Sequence, residues 1–236
     1  MRIIYMRIEW LRDEETAEIC DGELRRKPLK LKDLRIKSIL DLGGASGWFS
    51  EQLKNEDNRV ISIDLNISRL KQCRKAEPIL GNILYLPFKE NSFDAIFARA
   101  ILHHVPEKLD KCLGEIKRTI KNKGLILIEE PGYFNPIAYL ARKFFPTTIH
   151  DPNEKPFDPK FLEKKISEYF EIKEIEYYCI FSYPMPHIIP RLPQSLRPLA
   201  REITKILYNI DKSLLKFKFF QKFCGYIYIL GKMEKR

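Results

Sequence analysis

Between residues 38 and 130, short β-branched runs alternate with stretches whose apolar residues recur every three or four positions. No other feature restricts the possible folds as much. The runs "SILDL" (38–42), "RVISID" (59–64), "PILGN" (78–82), "SFDAIFAR" (92–99) and "GLILIEE" (124–130) predict strands. The segments "WFSEQLKNE", "NISRLKQCRKA" and "PEKLDKCLGEIKRTIKN" between them predict helices. Apolar strands separated by helices call for a parallel sheet covered on both faces. Pro106 suits the first turn of its helix, and Asn122 with Gly124 suits the exit.

The texture changes after residue 130. "PGYFNPIAYLARKFFPTTIHDPNEKPFDP" is rich in proline and aromatics and predicts one short helix, about 135–145. "PKFLEKKISEYF" predicts another, followed by a strand over 171–181. The prolines of "SYPMPHIIPRLPQSLRP" are expected to forbid regular structure. An amphipathic helix through "LAREITKILYNIDKSLLKF" and a closing strand, 223–233, complete the chain.

Composition excludes several classes. With 44% apolar and 31% charged residues the chain reads as globular, not disordered. No apolar run reaches the length of a membrane span, and the first residues do not read as a signal peptide. The cysteines, at 20, 73, 112, 179 and 224, form no CxxC pair. Neither a disulfide framework nor a metal site is expected, and a reducing cytoplasm is the simplest home. His150, Asp151 and Glu154 lack fixed ligand spacing and read as a solvated loop. The net charge of +10 is uneven: residues 191–236 hold eleven lysines and arginines against three acids. Whatever this charge attracts should meet the C-terminal segment.

The stretch "KSILDLGGASGWFSEQL" (37–53) sets glycines between a strand and a helix, spaced D-x-G-x-A-x-G. A dinucleotide loop would read GxGxxG, and the third glycine position here is Trp48. A tight strand-to-helix turn also needs glycine without any ligand, so the loop alone does not decide. Asp64 ends the next predicted strand, where a carboxylate can accept both hydroxyls of a ribose.

"GNILYLPFKENSFDAIFARAILHHV" makes the pattern specific. With the glycine loop, it resembles the class I S-adenosylmethionine-dependent methyltransferases, in particular the small-molecule and lipid branch marked by "LPF…FD…LHH". The match covers residues 38–130; beyond them only the closing β-hairpin pattern matches. The resemblance implies a Rossmann-like α/β fold: a seven-stranded, mostly parallel sheet with helices on both faces and an antiparallel last strand. It also implies one domain over 1–236, with an N-terminal arm (1–37), a cofactor-binding half (38–130), substrate-covering insertions (131–160 and 182–222) and the last strand (223–233).

Carried onto this sequence, the resemblance puts Asp41, Gly43, Ala45 and Gly47 beside the methionine part of S-adenosylmethionine. Asp64 binds the ribose, Leu65 lies beside the adenine, Asn82 and Ile83 meet the adenine edge, and Arg99 and Ala100 face the sulfonium side. Two positions depart from the family pattern. Ala45 stands where the middle glycine is usual, and Asn82 where an Asp is usual.

His103 and His104 follow the fourth strand near the expected methyl position, and His103 is the candidate general base. The alternative is that one histidine packs and the other caps the next helix. Glu129 and Glu130 are expected on the rim after the fifth strand, at least one of them in an ordinary solvated loop.

Three function classes follow: a small-molecule or lipid methyltransferase, an RNA methyltransferase using the basic segment, and a non-catalytic S-adenosylmethionine-binding protein. Against RNA, the fourth strand ends in "ARAIL", not the N/D-P-P-Y/F motif, and no Pro-Cys dipeptide occurs. In "REITKILYNIDKSLLKFKFFQKF", Ile203, Ile206, Leu207, Ile210, Leu214, Leu215 and Phe217 recur at helical spacing, and aromatics interleaved with lysine fit an anionic membrane surface or RNA. They fit equally a lid helix burying its apolar stripe. No DNA partner is expected, and the chain is placed in the cytoplasm, at most peripheral to a membrane.

Overall fold

A computed structural model describes residues 13–20, 36–144 and 155–234. Seven strands form one sheet in the order β3-β2-β1-β4-β5-β7-β6. They are β1 (Ser38–Leu42), β2 (Arg59–Asp64), β3 (Glu77–Leu80), β4 (Phe93–Arg99), β5 (Ile120–Pro131), β6 (Glu171–Tyr178) and β7 (Tyr226–Lys232). β1 pairs parallel with β2 and β4, β2 with β3, and β4 with β5. β7 is antiparallel to both β5 and β6, so the expected seven-stranded architecture with its antiparallel last strand is observed. Because β7 alone is reversed, β6 ends on the same rim as β1, β2, β4 and β5.

Side chains alternate across each strand and divide the core into two layers. Leu40, Leu42, Ile61, Ile63, Ile96 and Ile128 face one layer; Ile39, Val60, Ala95, Phe97 and Leu127 face the other. The first layer is closed by α4 (Leu109–Thr119), which contributes Leu109, Cys112, Leu113 and Ile116, and by α6 (Pro159–Ser167), which contributes Leu162 and Ile166. The second is closed by α2 (Trp48–Leu53), through Phe49 and Leu53, and by Tyr208 of α8 (Arg197–Leu214). Each such Leu, Ile or Phe removed from water contributes on the order of 1.5–3 kcal/mol.

Several expectations are corrected. The helix after Pro106 ends at Thr119, and β5 begins at Ile120, four residues before the expected start. Lys123, with φ of +62°, turns the chain inside the strand, where Asn122 and Gly124 had suggested a helix exit. The proline-rich stretch is not irregular: it forms α7 (Met185–Ile188) and 3-10 turns at Ile189–Arg191 and Gln194–Leu196. Its prolines largely occupy or flank the first positions of these turns, where a missing N–H costs no hydrogen bond. The predicted helix "NISRLKQCRKA" shortens to the single turn α3 (Ile67–Leu70), capped by the Asn66 side chain on the Arg69 N–H.

Much of the apolar stripe that a lid helix would bury stays uncovered on α8. The helix packs with Ala200, Thr204, Tyr208 and Asp211 and leaves Leu199, Ile203, Ile206 and Ile210 exposed. Asp211 is fully buried and explains this choice of face. Its carboxylate accepts the Phe181 N–H (2.9 Å), the Ser182 N–H (2.9 Å) and the Ser182 hydroxyl (2.6 Å), fastening α8 to the chain leaving β6. A helix over residues 14–20, here α1, docks alongside. Asp13 accepts the Thr16 N–H at its start and pairs with Arg201 of α8 at 2.7 Å. The Arg201 guanidinium, helped by Thr16, holds the Asp13 carboxyl down at about 2.

His150, Asp151 and Glu154 lie outside the described residues, as does most of the expected N-terminal arm. α5 (Pro136–Phe144) realises the short helix expected at 135–145.

Candidate active site

The strand order reverses between β1 and β4, which opens a crevice at the ends of these strands. Residues predicted from four separate stretches meet there: Gly43–Gly47 after β1, Asp64 at the end of β2, Asn82 after β3, and Arg99 with Ala100 after β4.

The glycine loop lies down on the sheet end. Gly43 and Gly47 have φ of +68° and +77°, a region that favours glycine. A Cβ on Gly44, a residue outside the predicted set, would fall 2.2 Å from Ser62 Oγ and 2.7 Å from Asp41 Oδ2. The glycines thus bring the loop's backbone against the protein beneath it. Ala45 adopts φ of +49°, so the alanine that departs from the family pattern sits in a conformation costing about 1 kcal/mol.

Asp41 supports the loop from below. It is buried, and its Oδ2 accepts the Ser50 hydroxyl at 2.5 Å. Burial pushes its carboxyl up to about 6, against the lowering effects of the Ser50 hydrogen bond and the Arg99 charge.

Asp64 is half-buried at the rim. Its Oδ2 accepts the Ala45 N–H (3.1 Å) and its Oδ1 the Asn66 N–H (2.7 Å), which orients both oxygens. Each carboxylate oxygen has a second lone pair, so the group can still accept two hydroxyls. Leu65 beside it is 69% exposed, an apolar surface suited to a flat base. Asn82 Oδ1 accepts the Leu84 N–H at 2.9 Å and also keeps a second lone pair. Ile83 is buried, so only its main chain can meet a ligand. A diol acceptor, an apolar platform and an amide acceptor, ordered along β2 and β3, fit the nucleoside of S-adenosylmethionine.

Arg99 pairs with Glu129 at 2.9 Å, and its guanidinium carbon lies 5.5 Å from the centre of the Phe49 ring. The two are register partners across β4 and β5. This pairing offsets a positive charge that would otherwise oppose a sulfonium nearby. Ala100 is exposed, with φ of +48°, and its N–H donates to the Glu129 carbonyl at 2.7 Å.

The expectation of a solvated loop for Glu129 or Glu130 is overturned: both lie within β5 and both are buried. Pairing of β5 with β7 covers them from the far side. Glu130, fully buried, accepts the Ile101 N–H (2.9 Å) and the Leu102 N–H (2.7 Å), and its Oε2 lies 2.7 Å from His103 Nδ1. A carboxylate there selects the Nδ1–H tautomer, which makes Nε2 the proton-accepting nitrogen. His104 is exposed, its ring 4.3 Å from that of His103, and the turn at Pro106–Lys108 has no side-chain cap. The alternative in which a histidine caps that helix is therefore not observed. A signal for Glu130 was present: two consecutive acids ending an apolar strand point to opposite faces, and each needs its own partner.

Residues 40–128 match the family described as "Methyltransferase domain". An uncharacterized protein of Methanocaldococcus jannaschii is 29% identical over 188 residues, 75% of this chain and 76% of that protein. The ubiquinone/menaquinone biosynthesis C-methyltransferase of Haemophilus ducreyi is 33% identical over 119 residues, 44% of this chain and 46% of that enzyme. The chain thus spans just under half the length of that named relative. The N-methyltransferase NodS of Bradyrhizobium japonicum, crystallised with S-adenosyl-L-homocysteine, superposes with a TM-score of 0.57 at 12% identity. That superposition covers 91% of this chain and 88% of NodS. Residues 40–128, from within β1 to within β5, are thus a methyltransferase domain of the class I S-adenosylmethionine-dependent kind.

Proposed function

We propose that this chain methylates a small-molecule or lipid-like acceptor, with His103 taking the acceptor's proton. The observation that carries the reading is the 2.7 Å contact between His103 Nδ1 and the buried Glu130 carboxylate. The carboxylate satisfies the buried Nδ1–H and holds the ring with Nε2 as the proton-accepting nitrogen, the arrangement a general base needs.

In this reading Asp64 holds the ribose hydroxyls, Leu65 and Asn82 meet the adenine, and the main chain of Ile83 contributes beside them. The outer side of the loop at Gly43, Ala45 and Gly47 receives the methionine part, and Asp41 acts through the loop it supports. Arg99 and Ala100 border the sulfonium, the former neutralised by Glu129. S-adenosylmethionine supplies a methyl group already activated on sulfur. The protein's tasks are to align the nucleophile, exclude water and accept one proton at His103 Nε2. A base of this kind suits a hydroxyl or an acidic carbon more than an amine, which can lose its proton to solvent afterwards. The name of the Haemophilus ducreyi relative, a quinone-pathway C-methyltransferase, supports an acceptor of that type.

The test is a transfer assay with methyl-labelled S-adenosylmethionine and extract of the source organism. Products are separated into organic-soluble, RNA, protein and small aqueous fractions. Label in the organic or small aqueous fraction is expected, and its loss in His103→Ala is expected with it. Label in RNA would reassign the basic C-terminal segment to phosphates. S-adenosylmethionine binding without transfer into any fraction would favour the non-catalytic reading.

A further inference from the structure

α8 inverts the usual arrangement of an amphipathic helix. Its buried side carries Ala200, Thr204, Tyr208 and Asp211, while Leu199, Ile203, Ile206 and Ile210 are 62%, 43%, 60% and 43% exposed. These four follow the spacing i, i+4, i+7, i+11 and so form one continuous stripe. The stripe is not an accident of weak packing, because the opposite face is fixed by the Asp211 hydrogen bonds to Phe181 and Ser182 and by the Arg201–Asp13 pair. Directly after α8, Phe217 and Phe219 are each 64% exposed. Phe219 belongs to α9 (Lys218–Gln221), and Lys222 stacks over the Phe219 and Phe223 rings at 4.7 Å each.

The exposed charges around these apolar groups are predominantly positive, and Glu15 of the neighbouring helix is paired with Arg201. Lys205, Lys212, Lys216, Lys218 and Lys222 are exposed, and Glu202, paired with Lys205, is the exposed acid of α8. We infer that α8 and the turn into α9 dock the protein on an anionic lipid surface, with the stripe in the acyl boundary and the lysines at the headgroups. The inference deepens the proposed lipid-like acceptor by naming where that acceptor is met.

Charge and chemistry together select this occupant. A second copy of the chain would bring two lysine-rich faces together, at a repulsive cost. RNA would satisfy the lysines but offers nothing to four aliphatic side chains, since its readers use aromatic platforms and polar contacts. A bilayer with anionic lipids satisfies both, as it does for interfacial helices generally. Among the described residues no helix is long and apolar enough to cross a membrane, so the contact is one of lying on the surface. The 18 residues of α8 span about 27 Å, enough to engage several headgroups at once.

The experiment is co-sedimentation of the full chain with vesicles of phosphatidylcholine alone and of phosphatidylcholine with 30% phosphatidylglycerol (about one anionic lipid in three). No methyl donor or acceptor is present, so the result is independent of the catalytic reading. Binding to the anionic vesicles is expected. Ile203→Ser/Ile206→Ser should weaken it at least tenfold, and Lys216→Ser/Lys218→Ser should weaken it and flatten its salt dependence. Both double variants replace exposed side chains, and their unfolding midpoints and S-adenosylhomocysteine affinities should equal the parent's. Absence of vesicle binding overturns the inference. So does a dimer in ultracentrifugation that Ile203→Ser/Ile206→Ser dissolves, or binding of a single-stranded RNA that outcompetes the vesicles. Each of these results would leave the methyl-transfer reading standing on its own assay.

Discussion

His103 Nδ1 lies 2.7 Å from Glu130 Oε2, although the two residues are 27 positions apart, one following β4 and the other within β5. The same carboxylate accepts the main-chain N–H groups of Ile101 and Leu102, so one buried side chain sets both the turn after β4 and the ring that turn carries. Glu130 is thus a positioning residue, and its effect should be visible in how His103 titrates.

The first prediction separates those two roles. His103→Ala should lower kcat by about 10²–10⁴-fold if the histidine is the base. Glu130→Gln should cost less and should shift the pH dependence of kcat, because an amide no longer stabilises the imidazolium. A change in KM alone, with an unmoved pH profile, would reduce Glu130 to a structural brace.

Asp41 makes stability depend on pH in an unusual direction. Burial raises its carboxyl from 3.8 to about 6 in the folded protein. Between those values the folded state holds a proton that the unfolded state has released, so stability declines as pH rises from about 4 to about 6. The full effect is on the order of 3 kcal/mol. Asp41→Asn keeps an acceptor for Ser50 and should flatten this decline, leaving the variant more stable than the parent above pH 6. Urea unfolding at pH 4, 5, 6 and 7 measures the slope; equal slopes would contradict the assignment.

Asp211 should be among the costliest polar residues to remove. Asp211→Ala leaves two buried N–H groups and a hydroxyl without their acceptor, a loss of about 3 kcal/mol or more. Asp211→Asn, which retains one acceptor oxygen, should fall between the two. Denaturant midpoints read the difference.

Ala45 offers a milder test of the loop. Ala45→Gly relieves the left-handed strain but adds freedom to the unfolded chain, so stability should stay within about 0.5 kcal/mol. Ala45→Val, branched at Cβ, should destabilise by more than about 1 kcal/mol and weaken S-adenosylmethionine binding with it. Thermal unfolding with and without S-adenosylhomocysteine reports both.

The sheet was legible where local pattern and tertiary demand coincide. β1 and β2 lie where their β-branched runs predict them, and β4 within one residue, because each is buried on both faces and is therefore mostly apolar. β5 was misjudged at its start, since Asn122 and Gly124 signal a break that the strand absorbs as a local turn at Lys123. The two consecutive acids Glu129 and Glu130 carried a local hint, but their burial also depends on Tyr228 and Ile227 of β7, roughly a hundred residues later, as register partners. The face that α8 buries was equally hidden. Its periodicity marks the apolar side, but Asp211, bound to the chain after β6, decides which side turns inward.

Asp64 bears most directly on the cofactor assignment, because its two oriented oxygens are what a ribose would meet. Calorimetric titration of S-adenosylmethionine into the parent and into Asp64→Ala, with circular dichroism showing both folded, measures its part. The predicted result is an affinity lower by at least tenfold in the variant. Unchanged affinity in a folded variant would contradict the placement of the nucleoside along β2 and, with it, the geometry from which the methyl-transfer site is built.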